Sequence, residues 1–243
     1  MRYGSHPEQV ADLWMPGPVR RPRPGVGPPY PVVVSIHGGY FQRQYRRDLH
    51  DPLCRHLVAA GLAVLNVEYR RSRTDGSLER TTDDVMSAIS WLGSRSAHWR
   101  PGVSVVGHSA GGYLALWAAS HPSVDLAVGL AAVSDLVDCV NGGYDGGAVA
   151  TWLGSRPKDD PARYAQADLL RRLPTGTATW LVHGDNDLTV PLHQSTRYVE
   201  RARQEGDAST LSVLAGGDHF AVIDPGSVAF ASWYDRLVER VLG

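Results

Sequence analysis

A chain of 243 residues is long enough to withdraw roughly three quarters of its unfolded surface from water, so one substantial core forms without disulfides or metals. With 43% hydrophobic and 20% charged residues the composition is close to the globular average. A net charge of -1, from 24 basic and 25 acidic side chains, supplies no field to draw in nucleic acid or an anionic membrane surface. Cys54 and Cys139 lie in no metal-ligand or redox spacing and read as two reduced, structural thiols. The N-terminal MRYGSHPEQVADLW lacks the apolar run of a signal peptide, and no later run approaches a membrane span, which predicts a cytoplasmic protein.

In chain order, VADLWM at 10–15 is a short apolar segment, and the proline and glycine density of RPRPGVGPPYP at 21–31 predicts a loop. PVVVSIHG at 31–38 and GLAVLNVEY at 61–69 are β-branched apolar runs that predict strands. DLHDPLCRHLVAAG at 48–61, between them, has helical spacing and ends in glycine. The alternation continues with a helix over TTDDVMSAISWLGS (81–94), a strand over VSVVG (103–107), a helix over AGGYLALWAAS (110–120) and a strand over LAVGLAAV (126–133). It resumes with a strand over ATWLVHG (178–184), a helix over LHQSTRYVERARQEG (192–206), a strand over TLSVLAGG (210–217) and a closing helix over 227–243. Near-continuous apolar strands separated by helices predict an α/β fold with a mostly parallel sheet covered on both faces. Between 134 and 176 the pattern lapses into CVNGGYDGGA and short helical segments. This reads as a small lid-like insertion in a single domain spanning 1–243.

The run VSVVGHSAGGYLALWA places Ser109 inside Gly107-His108-Ser109-Ala110-Gly111, between a strand and a helix, which fits the G-x-S-x-G nucleophile elbow. The sharp turn demands small neighbours and presents the hydroxyl at a helix start, where the N–H of Ala110 is free to bind an oxyanion. A serine needs a base, and the base an orienting carboxylate. The order serine, acid, histidine leaves His121, His183, His193 and His219, and His219 follows the last strand at the sheet edge that also carries Ser109. His193 opens an amphipathic helix and reads as a surface residue. Of the two carboxylates in LVHGDNDLTVP, Asp187 lies two residues deeper in the loop than Asp185, which reads as holding the turn; the side chain of Asp218 diverges from that of its neighbour His219. His183, Asp185 and Asp187 alternate as metal ligands on a strand would, yet an activated serine accounts for the aspartate without a metal, and no cofactor is expected.

HGGY at 37–40 supplies the other half of an oxyanion hole, in which the N–H groups of Gly39 and Tyr40 join that of Ala110, with His37 bracing the loop. The basic run Arg43, Arg46, Arg47 reads as a solvated face, the alternative being a grip on a substrate carboxylate. Tyr144 and Trp152, in the insertion, read as packing.

Taken together, HGGYF, GHSAGG, HGDNDLTVP and GGDHF resemble the α/β-hydrolase superfamily across nearly the whole chain, in particular its kynurenine formamidase-like branch beside the hormone-sensitive-lipase-type esterases. The resemblance implies a triad of Ser109, Asp187 and His219. It implies substrate-binding positions at Phe41, where the formamidases carry tryptophan, and at Phe220, after the histidine. The activity it implies is that of a serine hydrolase, carboxylesterase or arylformamidase-like, cleaving a short-acyl ester or an N-formyl amide through an acyl-enzyme, with a small molecule as partner. A peptidase or thioesterase on the same fold is the enzymatic alternative. A non-catalytic small-molecule binder is the other, against which the intact Ser, Asp and His set argues.

Overall fold

The computed structural model describes residues 1–17, 28–95 and 98–243. Among the described residues seven strands form one sheet: β1 (Ala11–Trp14), β2 (Tyr30–Ile36), β3 (Ala63–Val67), β4 (Trp99–His108), β5 (Val124–Leu130), β6 (Ala178–Gly184) and β7 (Ser209–Leu214), in the order β1-β3-β2-β4-β5-β6-β7. All neighbours run parallel except β1, which pairs antiparallel with β3 from Ala11↔Val67 to Trp14↔Val64. The helices are α1 (Asp51–Ala59), α2 (Leu78–Gly93), α3 (Ala110–Ala118), α4 (Leu136–Gly142), α5 (Ala148–Leu153), α6 (Pro161–Ala167), α7 (His193–Gln204) and α8 (Val228–Leu242).

The strand pleat sorts side chains onto two cores. On β2, Val32, Val34 and Ile36 pack with Val85 and Ile89 of α2 and Leu114 of α3, while Val33 turns to Leu53 and Leu57 of α1 and Trp233 of α8. Both cysteines are buried and free, and burial pushes the Cys54 thiol up to about 12. Among the described residues no helix is long and apolar enough to cross a membrane.

Several element bounds differ from the sequence reading by two or three residues, β5 and β7 among them. VADLWM contains β1, a four-residue edge strand too short for periodicity to mark. Helix α2 starts at Leu78 rather than 81, because Ser77 caps it by accepting from the N–H of Arg80. Strand β4 begins at Trp99 and runs through Pro101 and Gly102, ahead of the apolar run that signalled it. Most of the loop over 21–31 lies outside the described residues. The segment between β5 and β6 holds three short helices, α4 to α6, and a 3-10 turn, Leu169–Arg172.

Candidate active site

The loops after β2, β4, β6 and β7 all leave the C-terminal ends of parallel strands, so the residues they carry gather at one edge of the sheet. Between β4 and α3, Ser109 has φ 57° and ψ -119°, a backbone conformation that a side-chain-bearing residue adopts only when its surroundings enforce it. The glycines are the enforcement. A Cβ on Gly107 would sit 1.9 Å from the Gly111 carbonyl oxygen, and one on Gly111 would sit 2.1 Å from that of Ile36. Gly38 is pressed against the serine from the other side: a Cβ there would lie 2.8 Å from the His108 carbonyl oxygen and 3.0 Å from the Ser109 Cβ. The β2 loop and the elbow are thereby locked together.

His219 and Asp187 meet across the loops after β7 and β6. The His219 Nδ1–H donates to Asp187 Oδ2 at 2.7 Å, which leaves Nε2 with its lone pair. Asp187 Oδ1 accepts from the N–H groups of Thr189 and Val190, both at 2.8 Å. His183 Nε2 lies 3.3 Å from Oδ2. Burial alone would raise the Asp187 carboxyl, but the hydrogen bonds from His183, His219 and the Val190 N–H outweigh it and hold the group well below the usual carboxylate range. Asp185 instead accepts from the N–H of Gly216, tying the β6 loop to the β7 loop. Asp218 accepts from the N–H groups of Phe220 and Ala221 and shapes the turn behind the histidine. His193 is half-exposed and pairs with Asp138.

Gly39, Tyr40 and Phe41 have φ values of 108°, 46° and 58°, three successive left-handed residues that turn the loop back on itself. Among the described residues the N–H groups of Gly39, Tyr40 and Ala110 donate to no backbone carbonyl. The Tyr40 hydroxyl donates to the Thr189 carbonyl at 3.0 Å, strapping this loop to the one carrying Asp187. Beneath it, Glu68 is fully buried with His37 at 2.9 Å and Arg71 at 2.6 Å. Burial would push that carboxyl up, but His37 and Arg71 hold it below its ordinary value. Arg46 and Arg47 turn to this cluster and to Asp12, so two of the three basic residues after the loop are engaged in the protein's own ion pairs.

The two phenylalanines are placed differently. Phe220 is 63% exposed beside His219, their ring centroids 5.1 Å apart. Phe41 is a correction to the expectation of a substrate contact: its ring has no exposed surface, being stacked on Trp152 at 3.8 Å and edge-on to Tyr113, so it offers no face to a ligand.

The sequence reading did not find the roles of His108 and His183. His108 is buried, its Nε2 is 2.8 Å from the His219 carbonyl, and burial pushes it well below the usual imidazole range. His183 accepts from or donates to the Ser195 hydroxyl at Nδ1, and at Nε2 it donates to the Val190 carbonyl. Neither contact has a sequence signal beyond adjacency to a motif.

The BD-FAE family model matches residues 21–201, a stretch that holds HGGYF, the elbow and Asp187. Esterase LipC of Mycobacterium tuberculosis is 26% identical over 91% of this chain, which spans only 59% of that protein's length. Kynurenine formamidase of Drosophila melanogaster is 23% identical over 80% of this chain and 67% of its own. Among solved structures, esterase B from Lactobacillus rhamnosis aligns with a TM-score of 0.79 at 21% identity, over 100% of this chain and 84% of its own. The propionate-bound esterase of Thermogutta terrifontis aligns at 0.76 and 20%, over 100% and 92%. The structural likeness fixes the fold, and the continuous family match over well over half of the residues fixes descent: the chain belongs to the BD-FAE family of α/β-hydrolase esterases.

Proposed function

We propose that the protein is a serine hydrolase cleaving short-acyl esters, or an activated amide such as an N-formyl group, with Ser109 as nucleophile, His219 as base and Asp187 as its orienting carboxylate. The observation that carries the reading is the 2.7 Å bond from His219 to Asp187 at the sheet edge where Ser109 is held in an inverted backbone conformation.

In the first half-reaction Ser109 Oγ bonds to the carbonyl carbon as its proton passes to His219 Nε2, and the carbonyl π pair moves onto oxygen. The N–H groups of Gly39, Tyr40 and Ala110 face that charge, and Asp187 stabilises the imidazolium. Collapse re-forms the carbonyl and expels the alkoxide or amine, which takes the proton back from His219. Water repeats the sequence on the acyl-enzyme and releases the acid. Short acyl groups are favoured because the insertion supplies only three short helices to enclose a chain, and a buried methylene contributes about 0.8 kcal/mol only once enclosed.

The test is kcat/KM for para-nitrophenyl esters of two to twelve carbons and for N-formylkynurenine, with Ser109→Ala beside the wild type. Activity should be greatest at two to four carbons, and Ser109→Ala should lose kcat by about 10⁴-fold or more. A folded Ser109→Ala protein with wild-type turnover would sink the reading, and a maximum at ten or twelve carbons would sink the short-acyl part of it.

A further inference from the structure

The basic run after the oxyanion loop divides in the structure. Arg46 and Arg47 reach Glu68 and Asp12, and Arg70 and Arg71 after β3 are likewise bound to carboxylates. Arg43 and Arg73 form no ion pair among the described residues, and both are exposed. They line one cavity of about 440 Å³, together with Gln42, Gln44, Ser72 and Thr151. No carboxylate lines it: Asp75, next along the chain from this wall, pairs with Arg80, and Asp145 accepts from the N–H groups of Gly147 and Val149.

The two arginines come from different loops that are fastened together. Both the N–H and the hydroxyl of Ser72 donate to the Phe41 carbonyl at 2.9 Å, and Gln42 bridges to Ser72 in parallel. Arg73 itself is held at φ 64° in a turn closed by the Thr74 N–H on the Arg71 carbonyl. The cavity also starts close to the proposed chemistry: Gln42 is two residues beyond Tyr40, a span of at most about 7.6 Å between Cα atoms.

We propose that Arg43 and Arg73 form a subsite for a carboxylate carried by the substrate, so that the enzyme prefers esters or amides bearing a negative charge at one end. The position of the subsite rests on the function proposed above; its affinity for the anion does not. Two guanidinium groups on fixed loops, surrounded by amide and hydroxyl side chains and by no competing acid, match a planar anion that accepts paired N–H donors.

Two pairs of esters place the charge on either side of the scissile bond: para-acetoxybenzoate against phenyl acetate, and para-nitrophenyl hemisuccinate against para-nitrophenyl butyrate. In at least one pair the ratio of kcat/KM, charged over neutral, should fall about tenfold or more from wild type to Arg43→Gln/Arg73→Gln, and Arg43→Lys/Arg73→Lys should recover part of it. A ratio that is the same in wild type and the glutamine variant for both pairs overturns the subsite. Binding to Ser109→Ala protein, followed by NMR titration with para-acetoxybenzoate and phenyl acetate, separates the subsite from the chemistry. Tighter binding of the charged ester that disappears when the two glutamines are added supports the subsite; equal binding in both proteins overturns it. Wild-type protein that turns over none of the four esters would sink the serine-hydrolase reading, and the titration would then decide the subsite by itself.

Discussion

Asp187 takes donors at both of its oxygens: two backbone N–H groups at Oδ1, and His219 at Oδ2 with His183 close by. An amide in its place must turn its own NH₂ toward one of these sets of donors. Asp187→Asn should therefore lose kcat by about 10⁴-fold, since whichever way the amide turns it either repels the His219 N–H or abandons the loop that holds it. Asp185→Asn keeps an oxygen for its single bond to the Gly216 N–H, and its kcat should stay within a few-fold of wild type. Steady-state kinetics on the two variants checks the assignment, and the reverse pattern would move the acid to Asp185. Loop depth and the order of elements both pointed to Asp187, and it is the Asp187 carboxylate that His219 meets. That His108 steadies the histidine was not legible, because the contact spans 111 residues; the contacts of His183 are close in sequence but depend on how the loop after β6 folds back on its strand.

At the scale of the element, the strand-turn-helix unit was readable because a backbone approach this close admits only glycine, and glycine is conspicuous in a sequence. Gly111→Ala would set its Cβ 2.1 Å and 2.4 Å from the carbonyl oxygens of Ile36 and His37, which are backbone atoms of β2 and its loop and have no rotamer to yield. The substitution should cost about 3 kcal/mol, the upper end of overpacking, and distort the oxyanion loop with it. Gly93→Ala, at the end of α2 with nothing within 4 Å of the added atom, should stabilise the protein by about 0.4–1 kcal/mol. Urea denaturation of the two variants reads both signs, and a neutral Gly111→Ala would mean that the elbow is looser than these contacts require. Where an element depended on its partners, the sequence was silent. Strand β1 exists through its pairing with β3, Phe41 is buried because Trp152 arrives from the insertion, and the pairing of Arg46 and Arg47 but not Arg43 follows from where Glu68 and Asp12 happen to stand.

For the whole molecule, the buried histidines set the response to acid. His108 belongs to the elbow and His50 packs near it, their rings 6.2 Å apart. Burial first, and then the charge of His37, push His50 down to about 3; His108 is also pushed well below the usual imidazole range. In the unfolded chain both would titrate near ~6.5. Between that value and about 3 the unfolded state binds protons that the folded state refuses, so stability must fall as pH drops through this window. Two histidines give a slope of at most about 2.7 kcal/mol per pH unit. Asp187 adds to the loss at lower pH: its carboxyl is depressed in the folded state, so its contribution is complete above the ordinary ~3.9 and disappears as pH falls below it. Urea denaturation at pH 7.5, 6.0 and 5.0 should show a midpoint that is steady above pH 7 and falls steeply below 6. His50→Gln should remove about one proton's worth of the slope, because glutamine can still meet the Ser35 hydroxyl that lies 2.8 Å from His50 Nδ1, and it carries no proton-binding group. A midpoint that does not change from pH 7.5 to 5.0 in the wild type would mean that these two imidazoles reach solvent and charge without unfolding the core.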